Sequence, residues 1–184
     1  MKPVDRREIV DYVTYEGARV AFRAEVLAAK TRRRVDVGEH VTLLFENRQT
    51  VRYQIQEMIR TERIVKEADI LHEIGTYNEL LGGEGELGCT LLIEIDDPAL
   101  RSKKLKEWWR LPEMVYLLLE DGRRVWAQFD ERQRGDDRVS SVQYLKFDTG
   151  GRAPVAAGVD LPELQAETPL SAEQREALRE DLSS

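Results

Sequence analysis

The sequence predicts an α+β fold. An antiparallel sheet packs against an N-terminal helix and a central helix pair, followed by an irregular C-terminal arm and a short terminal helix. Three observations predict it. Apolar residues recur every three or four positions through residues 15–33 and again through residues 50–81. From residue 87 the pattern changes to strand-like runs, "LGCTLLIEI", "MVYLLLE" and "VSSVQYLKF". Between two of those runs stands Asp121-Gly122, a pair favoured in two-residue hairpin turns because both positions tolerate positive φ. Helices and strands in separate blocks argue for α+β rather than an alternating α/β chain.

Taken in order, residues 5–13 read as a short helix or turn. Tyr15, Ala18, Phe22, Val26 and Ala29 then share one face of an amphipathic helix. It ends in "KTRRR", where Arg32, Arg33 and Arg34 match the negative pole of the helix dipole as solvated cations; an anion site is the sharper alternative. Gly38 breaks the pattern, and "HVTLLFE" has the β-branched and aromatic content of a strand. A helix over residues 50–66 and a second one, "EADILHEIGTYNELLG", follow closely enough to form an antiparallel pair. Gly82-Gly83 supplies the stop. After the strand "LGCTLLIEI" and Asp96-Asp97-Pro98 comes a short helix over residues 99–109, then the Asp-Gly hairpin and a third strand. Those three strands are expected to form one meander. Past Asp148 the chain turns to Gly, Pro and Ala, which marks residues 150–184 as an arm distinct from a single domain over 1–149. The arm holds seven acids and three arginines and closes on a helix with the capping box Ser171-Ala172-Glu173-Gln174. Leu178 and Leu182 give that helix a narrow apolar stripe, fit to dock on the body or on a partner.

At 184 residues, 41% hydrophobic and 34% charged, the chain can bury a core of its own. A net charge of −7 argues against general nucleic-acid binding, which needs a basic field. The lone Cys89 has no disulfide partner and no second thiol at metal-ligand spacing, which suits a reducing cytoplasm. No apolar leader and no membrane-length apolar run is present.

The candidate site lies in "RQTVRYQIQEMIRTERI". Val51, Ile55, Met58 and Ile59 gather on one side, with Gln54 and Glu57 beside them and Gln56 paired with Arg60 at i, i+4. On the next helix Glu73 and Tyr77 are also i, i+4, with Asn78 adjacent. If the two helices pack antiparallel, Glu57, Arg60, Glu73 and Tyr77 converge, and Glu46 and Asn47 reach one edge from the preceding strand. The set Glu46, Asn47, Gln54, Glu57, Arg60, Glu73, Tyr77 and Asn78 reads either as a recessed ligand pocket or as a hydrogen-bonded network locking helices to sheet.

Chemistry motifs are sparse. Asp69 and His72 at i, i+3 give one element of a di-iron bundle, which needs that element twice and further glutamates; the only other histidine is His40. "GGEGELG" lacks the lysine and helix of a phosphate loop. No serine or cysteine stands in a nucleophile setting, and Cys89 within an apolar strand reads as an inert buried thiol. Trp108 and Trp109 beside Lys103, Lys104, Lys106 and Arg110 read as core packing under snorkelling lysines, with stacking on RNA the weaker reading. No cofactor or metal is expected, and no catalytic residue is identified.

The runs "LLFEN", "QIQEMIRTER", "TYNELL", "TLLIEI", "FDERQRGDDRVSSVQYLKF" and "REALREDL" resemble an uncharacterised bacterial domain-of-unknown-function family, from about Tyr15 onward. Its members tend to be encoded beside rubrerythrin-like proteins and an iron–sulphur, heterodisulfide-reductase-like subunit. The resemblance therefore implies a cytoplasmic accessory or interaction protein of a redox or peroxide-stress system, with those proteins as partners. The rival expectation is an enzyme or sensor holding a small ligand or metal between the central helices.

Overall fold

In the computed structural model, which describes residues 1–133 and 135–184, five α-helices surround two antiparallel sheets, and the class is α+β. α1 spans Tyr12–Thr31. It begins ahead of its apolar stripe because the Asp11 side chain accepts from the N–H groups of Val13 and Thr14. β1 (Arg34–Val37) and β2 (Val41–Phe45) form a hairpin past Gly38, whose φ of +66° suits glycine. α2 (Arg48–Glu62) stops at Arg63, which takes a left-handed conformation, φ 52°. α3 (Glu67–Asn78) follows.

Then come β3 (Glu86–Ile93), α4 (Pro98–Glu107), β4 (Val115–Leu118), β5 (Arg124–Trp126), β6 (Gln128–Phe129) and β7 (Val142–Asp148). β8 (Ala156–Val159), β9 (Ala166–Pro169) and α5 (Ala172–Leu182) complete the chain. Among the described residues, no helix is long and apolar enough to cross a membrane.

The larger sheet runs β1-β2-β3-β7-β6 and the smaller β5-β4-β8-β9. Alternate residues of the larger sheet, among them Leu43, Phe45, Leu87, Leu91, Leu145 and Phe147, are buried with Val115, Leu117, Ala157 and Val159 of the smaller one. A second apolar cluster joins α2 and α3 to the N-terminal segment through Ile55, Ile59, Ile70, Ile74, Val4 and Ile9. α3 leads into the sheet by close backbone approach. A Cβ on Gly88 would lie 1.8 Å from the Leu80 carbonyl oxygen, so only glycine fits there.

Two details differ from expectation. The three late strands do not form one meander. β4 and β5 pair in the smaller sheet, and only Ala127 separates β5 from β6, where the chain steps into the larger sheet. Leu145 and Phe147 then complete the apolar face beside β3. The hairpin itself is real, but Gly122 alone takes positive φ (+82°). Its N–H and that of Leu119 close a turn with one extra residue rather than a two-residue turn.

The arm, moreover, is not irregular throughout: β8 pairs with β4 and β9 with β8. Its Gly158 looks like loop composition yet is demanded by packing. A Cβ on Gly158 would lie 2.4 Å from the Tyr116 ring.

α5 docks on the body through buried Ala177 and Leu178. It is fastened by Asp181, which accepts two bonds from the Arg33 guanidinium at 2.7 and 2.9 Å. Arg33 is 5% exposed and Asp181 6%, so this helix-end cation is not solvated as its neighbours Arg32 and Arg34 are. Removing one partner strands the other charge away from water. Asp181→Ala should therefore cost about 3–5 kcal/mol in urea unfolding, while the double variant Arg33→Met/Asp181→Leu loses far less.

Candidate functional site

The polar residues singled out above fold into three separate groups. The first sits where β2 meets α2. Asn47 caps α2: its side chain accepts from the Thr50 N–H at 2.9 Å, and the Thr50 hydroxyl accepts from the Asn47 N–H at 2.9 Å. Glu46, 1% exposed, faces the other way into the body. Its carboxylate accepts from Thr50, from the Thr90 hydroxyl at 2.7 Å and from the Gln54 amide at 3.2 Å. Burial pushes the neighbouring Cys89 thiol well above its usual range, and the Glu46 charge adds to that shift. The thiol is therefore neutral and inert at physiological pH. Asn47 extends the group to Asp181 at 3.5 Å.

The second group joins α2 to α1. Glu57 accepts from the Tyr15 hydroxyl at 2.7 Å and from Arg19 through Nε and Nη2 at 2.7 and 2.9 Å. Arg60 lies 3.7 Å from Glu57 and 3.4 Å from Glu16. The Arg19 guanidinium, with Tyr15 and Arg60 contributing, holds the Glu57 carboxyl below its ordinary value against the opposing effect of burial. Burial and the Glu57 charge raise the Tyr15 phenol.

The third group, on α3, does not meet the second. Ile55 and Ile59 of α2 meet Ile70 and Ile74 of α3 in an apolar contact, so the polar side of α2 is left for α1. Glu73 borders a shallow hollow with Arg63 and His72, and His72 is exposed. Tyr77 is half-buried; desolvation and the nearby Glu73 raise its phenol. Tyr77 lines a hollow of about 630 Å³ with Phe129, Tyr144 and Lys146. Asn78 points to the N-terminal segment, accepting from the Val4 N–H at 2.8 Å and donating to the Val4 carbonyl at 3.0 Å. Gln56 does the same to Val10, at 2.8 and 3.1 Å.

A cleft of about 760 Å³ lies elsewhere, between α1, the start of α2, the N-terminal segment and α5. Of the residues expected in a site, Asn47 alone borders it. Its distinctive wall is Tyr15, Phe22, Arg48 and Arg52. The Arg52 guanidinium stacks 5.0 Å from the Phe22 ring centre, and Phe22 meets Tyr15 edge-on at 6.2 Å. Arg48 pairs with the Glu8 carboxylate, and Arg52 donates to the Glu8 carbonyl at 3.2 Å. Each guanidinium carries five N–H donors, more than these bonds use. The arginines stand four apart directly after the Asn47 cap, a local signal that marks one helix-start face. Phe22 and Asp181 carry no such signal, because only the tertiary fold brings them there. Among the described residues no three His, Cys, Asp or Glu side chains are grouped to hold a metal ion.

The Glu57 clamp predicts a pH signature. A carboxylate held below its ordinary value stabilises the fold fully above about pH 4.3, and that stabilisation disappears as pH falls through the lowered folded value. Glu57→Gln should therefore be less stable than the parent near neutrality, and urea unfolding should show the gap closing as pH drops toward about 3.

Set beside known proteins, the chain is similar to the crystal structure of a novel protein of unknown function from Burkholderia pseudomallei K96243, solved at 1.90 Å. The TM-score is 0.90 at 29% identity, over 98% of this chain and 100% of that one. No curated protein matches it. The family model described as protein of unknown function, DUF3501, matches residues 3–182, and the chain belongs to that family.

Proposed function

We propose that this protein works by binding rather than by bond-making chemistry, as a cytoplasmic accessory protein whose contact site is the cleft beside α1. The observation that carries this reading is the internal engagement of the two central carboxylates. Glu46 is enclosed by three uncharged donors, Glu57 is engaged by Tyr15 and Arg19, and neither lines the open cleft where a general base would meet a substrate. The cleft, by contrast, is open and offers two guanidinium groups beside an aromatic face. What suits it is an anionic group on an apolar body, such as an acidic side chain with an adjoining aliphatic residue on a partner.

The assignment to a redox or peroxide-stress system, with rubrerythrin-like or iron–sulphur oxidoreductase proteins as partners, is supported by the family resemblance. A second reading, a small acidic metabolite as the occupant, is favoured by the cleft volume, which lies in the range of small-molecule sites.

Gentle pull-downs from cells making this protein and those candidates should recover a complex, weakened by Arg52→Glu. Failure to recover any complex would remove the partner reading. In that case calorimetry with a panel of small carboxylic acids decides the second reading, with binding expected to vanish in the same variant.

A further inference from the structure

α1 has two apolar sides, and the fold uses one. Tyr15 and Val26 are buried and Phe22 is half-buried toward α2, whereas the opposite side faces water along its whole length. That outer side carries Val13, Gly17, Val20, Ala24 and Leu27 at alternating spacings of four and three, the seam of a two-helix coil. Val13 is 67% exposed, Val20 82% and Leu27 45%. Ala21 and Ala28 widen the seam, and it holds no charged residue although 34% of the chain is charged. Single exposed valines need no explanation, but a continuous uncharged row does.

Gly17 sharpens the point. Glycine inside a helix costs about 1 kcal/mol relative to alanine. A Cβ added at Gly17 would meet nothing within 4 Å, so nothing inside the chain requires its absence.

We propose that α1 is a self-pairing surface, and that two copies of the chain meet through it antiparallel about a twofold axis near Ala18 and Arg19. In that register large faces small throughout. Val20 of each copy fills the space over Gly17 of the other, and Val13 sits against Ala24. Leu27 reaches the exposed Val10 just before the other copy's helix. Charge follows the same symmetry: Glu16 and Arg23 flank the seam, and each Glu16 faces the other copy's Arg23, once on either side of the axis. No like charges meet. A parallel pair would set Gly17 on Gly17 and Val20 on Val20 and bring neither charge to an opposite one.

A lipid surface is the less suitable occupant, because one flank of the seam mixes Glu16 with Arg23 and Lys30, the other is the uncharged Thr14, Ala21 and Ala28, and the chain carries a net charge of −7. The helix is about 30 Å long, so the contact buries on the order of 1,000 Å² in total, the lower edge of specific interfaces. The dimer is therefore reversible.

Sedimentation of the intact protein across a concentration series tests the proposal. Dimer mass is expected by about 100 µM, above the micromolar affinity such an area allows. Val20→Glu, at a position exposed in the single chain, should give monomer with an unchanged melting temperature. Arg23→Glu should weaken association at least tenfold, with Glu16, which also lies 3.4 Å from Arg60 of its own chain, left in place. Gly17→Ala separates the cases further: it weakens the dimer if the seam is paired, and merely raises stability if it is free. A protein monomeric throughout, a dimer indifferent to Val20→Glu, or binding to anionic vesicles without self-association would each overturn the proposal.

Discussion

A buried charge must find its opposite, and the Arg33–Asp181 pair shows how much architecture can follow from that rule. Arg33 lies between the last turn of α1 and the first residue of β1, while Asp181 is near the chain's far end. Their union fixes α5 across an edge of the core, and Asn47 joins it from the cap of α2. One ion pair thus ties the first helix, the hairpin, the second helix and the last into a single arrangement. It also sets one wall of the large cleft, to which Asp181 contributes. Such pairs add little net stability over apolar replacements, yet breaking one by removing a single partner is costly.

The polar groups of the centre follow the same logic of mutual satisfaction. Glu46 is buried without a cation and stays solvated by the protein itself, through threonine hydroxyls and an amide. Glu57 is solvated by a phenol and a guanidinium. In both cases the donors converge on the carboxylate from different elements. What they give the molecule is a fixed seating of α2 against the sheet and against α1, with the open surface left to arginines and aromatic rings.

Local patterns made the class, the helices and the Asp121-Gly122 hairpin legible in the sequence. Each depends on residues near one another in the chain. Partnerships were harder to read. Glu57 and Arg60 stand on a helix whose next neighbour in sequence is α3, yet the longer α1 takes their side, because Ile55 and Ile59 already commit the other side to Ile70 and Ile74. Strand β8 was hidden in part because Gly158 is small for a packing reason that only Tyr116, about forty residues away, explains. The cleft was illegible for the same reason, since its walls come from opposite ends of the chain. Asn47 and Gln54 were recognised as polar positions but not as a cap and a carboxylate donor.

Gln56 and Asn78 leave a dynamic imprint on the molecule. Each amide offers one donor and one acceptor to a single residue of the N-terminal segment, so it imitates the neighbouring strand that Val10 and Val4 lack. The segment thereby borrows its order from α2 and α3 and has no ladder of its own. Local opening should then not begin as fraying at the amino end. The segment, the two helices that hold it and the rim of the cleft belong to one cooperative unit, which loosens together or stays shut.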